Sequence, residues 1–194
     1  MPRDYVLMTD SDSDLPWQFA KEKGIPVVRM PYSVGDQEYF DDNGESGSQA
    51  EFFDKMRKGA TAITSLLPTA AYLEYFEPIL QHSDLFFIAF SSKMSATFNN
   101  VLEAREELLQ KYPNRKFIVV DTLSISFPMA LLIMRAYELY EKGASMEELE
   151  KWLLENRTRS HAFVTVDDLV YLRRGGRISS TSAVVGSMLN IKPI

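Results

Sequence analysis

Residues 86–98 read FFIAFSSKMSATF, and this stretch decides the fold. Its first five residues are apolar without interruption, as expected of a strand buried on both faces rather than one. The chain then enters a hydroxyl cluster, Ser91, Ser92, Ser95 and Thr97, at the start of a helix whose apolar face is marked by Phe98, Val101, Leu102, Leu108 and Leu109. The first N–H groups of a helix have no partners within it, and the helix start favours negative charge. The junction therefore reads as a neutral cradle for a carboxylate or phosphate. Thr64 and Ser65 stand just before a second predicted helix, with Pro68 near its first turn. Two such clusters suggest one shared head-group site.

Working outward, residues 5–9 form a short apolar strand that ends in an Asp- and Ser-rich turn, and a helix opened by Leu15 and Pro16 runs to Gly24. A strand over 25–30, a hairpin arm at 36–40 with turn residues Ser33, Gly35, Asn43 and Gly44, and a helix from a Ser48 cap through Lys58 follow. Helical spacing over 69–81, a strand at 84–90, another at 116–120, a helix at 127–140 and a strand at 161–166 continue the alternation. Ser145 with Glu148 three residues later is a capping box for a helix ending near Arg157. Repeated strand–helix–strand units predict an α/β fold, a mostly parallel sheet with helices on both faces. Such sheets bind ligands at the carboxyl ends of their strands, where Asp10, Ser91 and Asp121 fall. We place an N-terminal domain at 1–158 and the beginning of a second α/β domain, apparently incomplete, at 159–194. Residues 190–194 read as entry into a strand, which points to a fragment or an unusually short form.

The 194 residues are enough for a sizeable core, and the absence of cysteine removes disulfides, thiolate metal sites and cysteine nucleophiles together. With no signal-like start and no apolar run of membrane-span length, the sequence fits a cytoplasmic protein. A net charge of -6 opposes general binding to nucleic acid or an anionic bilayer. His82 and His161 are far apart in sequence, so no multi-histidine metal site and no cofactor is expected.

The segments TDSDSDLP (9–16), GIPVVRMPY (24–32), ITS (63–65), SSKMSATF (91–98), VDTLSIS (120–126) and YLRRGGRISSTSAVVGSMLNIKPI (171–194), in this order, resemble the DegV family of bacterial lipid-binding proteins. The resemblance covers essentially the whole chain. It implies a two-domain α/β protein that holds a long-chain fatty acid between its domains and serves, without catalysis of its own, as the fatty-acid-binding subunit of fatty acid kinase. It also implies Thr64 and Ser95 as carboxylate donors, with Ser65, Ser92 and Thr97 as helpers, and Arg177 at the site edge. Ala96 replaces the glycine usual in the family motif, and Phe127-Pro128-Met129 replaces a glycine-rich continuation. The missing carboxy-terminal part would normally complete the second domain and the pocket wall.

Three features carry other readings. The arginines of Arg173-Arg174-Gly175-Gly176-Arg177 either contact an acyl-phosphate or acidic partner or pair with Asp167 and Asp168. Asp10, Asp12, Ser91-Ser92 and the Asp167-Asp168 pair imitate a magnesium-dependent phosphatase of the haloacid dehalogenase type, with Asp10 as nucleophile. Asp14 alternatively caps the helix begun at Leu15. The Met and aromatic content suits a lipid tunnel or an ordinary core equally.

Overall fold

A computed structural model describes residues 4–163, 165–166 and 168–179. Four parallel strands form the main sheet in the order β2-β1-β6-β7: β1 (Tyr5–Asp10), β2 (Val27–Val28), β6 (Asp84–Ala89) and β7 (Phe117–Asp121). In register, Leu7 lies beside Phe86 and Phe86 beside Ile118. The alternation of side chains along a strand splits β6 between two cores. Phe86 and Ile88 face α5 (Ser126–Glu141) and α6 (Met146–Asn156), through Met129, Ile133, Leu149 and Leu153. Leu85, Phe87 and Ala89 face α3 (Thr69–Leu80) and α4 (Thr97–Lys111), through Tyr72, Phe76, Val101 and Leu108. The expected α/β architecture, with helices on both faces, is present.

The phenyl ring of Phe76 ties its core together, with centroids 5.4 Å from Tyr72, 5.0 Å from Phe87 and 5.0 Å from Phe117. Opposite, α1 (Trp17–Lys23) packs beside α5 and ends at Gly24, which accepts the left-handed backbone (φ 64°) that a side chain would strain.

A three-stranded antiparallel arm stands beside the sheet, ordered β4-β3-β5, with β3 (Pro31–Val34), β4 (Gln37–Phe40) and β5 (Ala62–Thr64). Its hairpin turns at Gly35, and α2 (Gln49–Arg57) packs on it through an edge contact between Phe52 and Tyr32 at 5.6 Å. The arm corrects the strand expected at 25–30. β2 pairs with β1 only at Val27 and Val28, because the chain then leaves the sheet to begin the arm at Pro31.

Other local expectations also change. Ser48 occupies the position before α2 without capping it, and its hydroxyl instead pairs with that of Ser46 at 2.9 Å. Asp14 adopts a left-handed conformation after a 3-10 turn, and α1 starts at Trp17 with Pro16 before it, so Asp14 caps no helix. The described part of 161–166 forms no strand, and Phe163 is 88% exposed, since no strand among the described residues pairs with it. A short α7 (Leu169–Arg174), capped by the Asp168 carboxylate on the Val170 N–H at 2.8 Å, precedes the glycine turn. Asp167 and the strand entry expected at 190–194 lie outside the described residues.

Phe76→Ala leaves a hole between three aromatic rings, and we expect it to cost about 3–5 kcal/mol in a denaturant titration. Ser145 accepts from the Glu148 N–H at 3.2 Å while the Glu148 carboxylate takes the Ser145 N–H at 2.8 Å. Ser145→Ala is therefore expected to cost about 1 kcal/mol by the same measurement.

Candidate functional site

The carboxyl edge of the parallel sheet gathers most of the motif residues, for a topological reason. A helix that follows a strand in a parallel sheet runs back antiparallel to it, so α4 begins above the end of β6, and α3, which leads into β6, begins at the same edge. The two helix starts are fastened together there. Asn100 Nδ2 donates to the Leu67 carbonyl at 2.8 Å, and Thr69 Oγ1 donates to Glu103 at 2.9 Å.

The hydroxyls of the 91–97 loop have divided tasks. Ser91, buried, accepts from the Lys93 N–H at 3.2 Å, and Ser95 accepts from the Thr97 N–H at 3.2 Å. The residue at the cap position is Ala96, which has no hydroxyl, so Ser95 braces the first turn from one position earlier. Ser92 points away from the helix. It donates to Asp121 Oδ2 at 2.6 Å while its own N–H reaches Oδ1 at 3.1 Å, and the Leu123 N–H reaches the same Oδ1 at 3.0 Å. Asp121 thus clamps the loop after β6 to the loop after β7. Thr97 is buried at the foot of the helix.

The β7 loop is held in an uncommon shape. Leu123 (φ 51°) and Ser126 (φ 55°) both take the left-handed conformation without being glycine, a state maintained only where surrounding bonds over-determine it. Those bonds are present: the Ser91 N–H donates to the Ser124 carbonyl at 3.2 Å, Arg157 donates to the Asp121 carbonyl at 2.7 Å, and Ser126 donates to Asp14. Phe127 follows, 56% exposed, at the start of α5.

Thr64 ends β5 opposite Tyr32, exposed together with Ser65. It lines a cavity of about 260 Å³ with Asp12, Met30, Tyr32, Asp41, Phe52 and Phe53. A site for a whole ligand usually has about 300–1,000 Å³, so this cavity suits one end of a long molecule. A larger hollow of about 620 Å³, between Tyr5, Asp84, Lys116 and residues 140–147, lies at the opposite, amino edge of the sheet and touches none of these motifs. Arg177 is exposed beyond α7 and donates to the Gly175 carbonyl, and the Arg174 guanidinium lies 5.7 Å from the Tyr171 ring centre.

Behind Thr64 sits a group of carboxyls. Asp10 is 2% exposed, and its Oδ2 accepts from the Phe90 N–H at 2.9 Å. Among the described residues its Oδ1 has no hydrogen-bond partner. Burial and the neighbouring Asp12 raise the Asp10 carboxyl well above the carboxylate range, against the opposing pull of the Phe90 and Asp12 backbone N–H groups. Burial, then Asp41 and Asp14, push Asp12 up to about 6, and burial likewise raises Asp41. Sequence reading noticed Asp12 but had no signal for Asp41, which only the folding back of the arm brings to it.

The phosphatase reading of these aspartates is not supported. The supposed nucleophile Asp10 is enclosed and held by a backbone N–H, and among the described residues no group of three His, Cys, Asp or Glu side chains is placed to hold a metal. Among the same residues no helix is long and apolar enough to cross a membrane.

Known proteins share this organisation. A DegV domain-containing protein of Clostridium perfringens is 37% identical over 191 residues, and one of Lactococcus lactis is 33% identical over 191 residues. Each alignment takes in 98% of this chain and 66% of the relative, so the chain spans about two thirds of the length of these relatives. Among solved structures, a fatty-acid-binding DegV family protein of Thermus thermophilus superposes with a TM-score of 0.79 at 32% identity, covering 98% of this chain and 66% of that one. A stearic-acid-binding protein of Eubacterium ventriosum gives a TM-score of 0.80 at 25% identity, with the same 98% and 66% coverage. The fatty acid kinase B3 protein of Streptococcus pneumoniae, loaded with linoleic acid, shares the fold at a TM-score of 0.74 and 21% identity, over 97% of this chain and 66% of that one. The DegV family model, described as "Uncharacterised protein, DegV family", matches residues 5–194, and the chain belongs to that family.

Proposed function

We propose that this protein binds a long-chain fatty acid with its carboxylate at the carboxyl edge of the parallel sheet, held by the hydroxyls of Thr64 and Ser95. The observation that supports this reading is the Asn100–Leu67 bond, which ties the start of the helix after Ser95 to the segment after Thr64, while Thr64 itself, though not Ser95, lines a cavity whose walls include Phe52, Phe53 and Met30. The fatty acids bound by the Thermus and Eubacterium relatives support the same ligand class.

Within the site the roles differ. Ser95 uses its lone pair on the Thr97 N–H and keeps its hydrogen for a ligand oxygen. Ser92 has given its hydrogen to Asp121, so it shapes the loop rather than donating. Ser65 and Thr97 are neighbours of the donors, and Arg177 belongs to the edge that a second domain, beginning near residue 159, would complete. Neutral hydroxyls hold a carboxylate less tightly than a bidentate arginine pair does, which leaves its oxygens able to attack a phosphoryl donor. This favours a non-catalytic, cytoplasmic carrier that offers its acyl group to a separate kinase subunit for acyl-phosphate formation.

Organic extraction of the purified protein followed by mass spectrometry is expected to release a fatty acid. In calorimetry, Thr64→Val and Ser95→Ala should each weaken dodecanoate binding about 10- to 100-fold, the worth of a hydrogen bond to a charged group. Unchanged isotherms in both variants would remove these residues from the site. Shortening the ligand by two methylenes should weaken binding roughly tenfold, because burial rather than the head group supplies most of the affinity.

A further inference from the structure

The cavity beside Thr64 is a poor place for an anion as it stands. Asp12, Asp41 and Asp42 line it, and among the described residues no lysine or arginine does. The other titratable groups around Asp12 give no relief. Asp10 at the end of β1 and Asp14 in the same loop are acidic, and the Tyr72 phenol on α3 and the Tyr32 phenol on β3 both have their ionisation disfavoured by burial and by these carboxylates. Arg29, the cation that acts on Asp42, is engaged by Glu45 at 2.9 Å. Beside Asp12 stands the enclosed Asp10, whose Oδ1 has no hydrogen-bond partner among the described residues.

We propose that Asp12, which lines the cavity of Thr64 together with Asp41 and has Asp14 beside it in its own loop, takes up a proton as a carboxylate ligand enters, so that acid binding by this protein is proton-linked. This inference rests on the fatty-acid reading above and assigns that site a dependence on pH. The sign follows from like-charge repulsion: a ligand carboxylate placed beside Asp12 disfavours its ionised form and raises its proton affinity further. In the free protein Asp12 titrates at about 6. Below that pH it already carries its proton and binding takes none up. Above it, each binding event draws about one proton from solvent, and affinity falls as pH rises. Burial and the neighbouring Asp12 raise the Asp10 carboxyl well above the carboxylate range too, so it adds no cation to the site. The proton moves from buffer to a carboxylate oxygen of Asp12, forming an O–H that a ligand oxygen accepts.

The experiment is calorimetric titration of the chain with dodecanoate at pH 5.5, 6.5 and 7.5, in buffers of different ionisation enthalpy so that protons are counted directly. We expect close to one proton taken up per dodecanoate at pH 7.5 and little at pH 5.5, with Kd rising up to about tenfold per pH unit above 6.5. Asp12→Asn, a neutral isostere of the protonated acid, should bind at pH 7.5 as tightly as at pH 5.5 with no proton uptake. Asp41→Asn removes a repelling neighbour, so its onset of uptake should move to lower pH, an outcome readable even if the Asp12 variant fails to fold by circular dichroism. Dodecanoate binding to the wild type without proton uptake and with a flat Kd would overturn the inference while leaving the fatty-acid reading intact. A folded Asp12→Asn protein that keeps the wild-type pH dependence would overturn it too. No dodecanoate binding at any pH would overturn both.

Discussion

Everything in this structure hangs on β6 being apolar on both faces. Phe86 and Ile88 commit one side to α5 and α6, and Phe87 and Ala89 commit the other to α3 and α4, so that one strand contributes to both cores. A strand so enclosed must meet its hydrogen-bonding needs in the sheet, which sets β1 and β7 beside it in parallel. The chain leaves the strand at its carboxyl end, on the edge where α3 and α4 begin. The Ser91–Thr97 loop leaves from that end, so the packing of the core determines where the hydroxyls are displayed.

The same edge explains how a polar loop keeps its shape with little regular structure. Asp121 answers two N–H groups and one hydroxyl with a single carboxylate, and the left-handed Leu123 and Ser126 are held by bonds on either side of them. Asp10 does comparable work one strand away through the Phe90 N–H. Carboxyl groups at two strand ends therefore bind loop to loop, and the cost of burying Asp10 appears in its raised proton affinity rather than in lost structure.

Much of this was legible in the chain itself. The unbroken apolar run at 86–90, the Ser145–Glu148 capping box and the glycine turn at Gly35 are local signals, each set by interactions a few residues long, and each appears where it was expected. The departures have identifiable origins. The strand expected at 25–30 shrinks to Val27–Val28, and residues 62–64 become a strand, because both are governed by a partner distant in sequence. Ser48 and Asp14 had suitable chemistry for caps but found nearer or better partners in Ser46 and Ser126.

The sequence by itself determined the layers, the parallel order implied by alternating strands and helices, and the hydroxyl motifs that identify the family, since periodicity and motif spacing are properties of the chain. Tertiary structure alone decided how each hydroxyl is used within the protein, with Ser92 donating to Asp121 and Ser95 accepting from the Thr97 N–H. It also decided that Asp41 stands beside Asp12 at the cavity of Thr64. The physical reason is that hydrogen-bond commitment and charge repulsion depend on distances of a few ångströms between groups that lie tens of residues apart, and only the folded chain sets those distances.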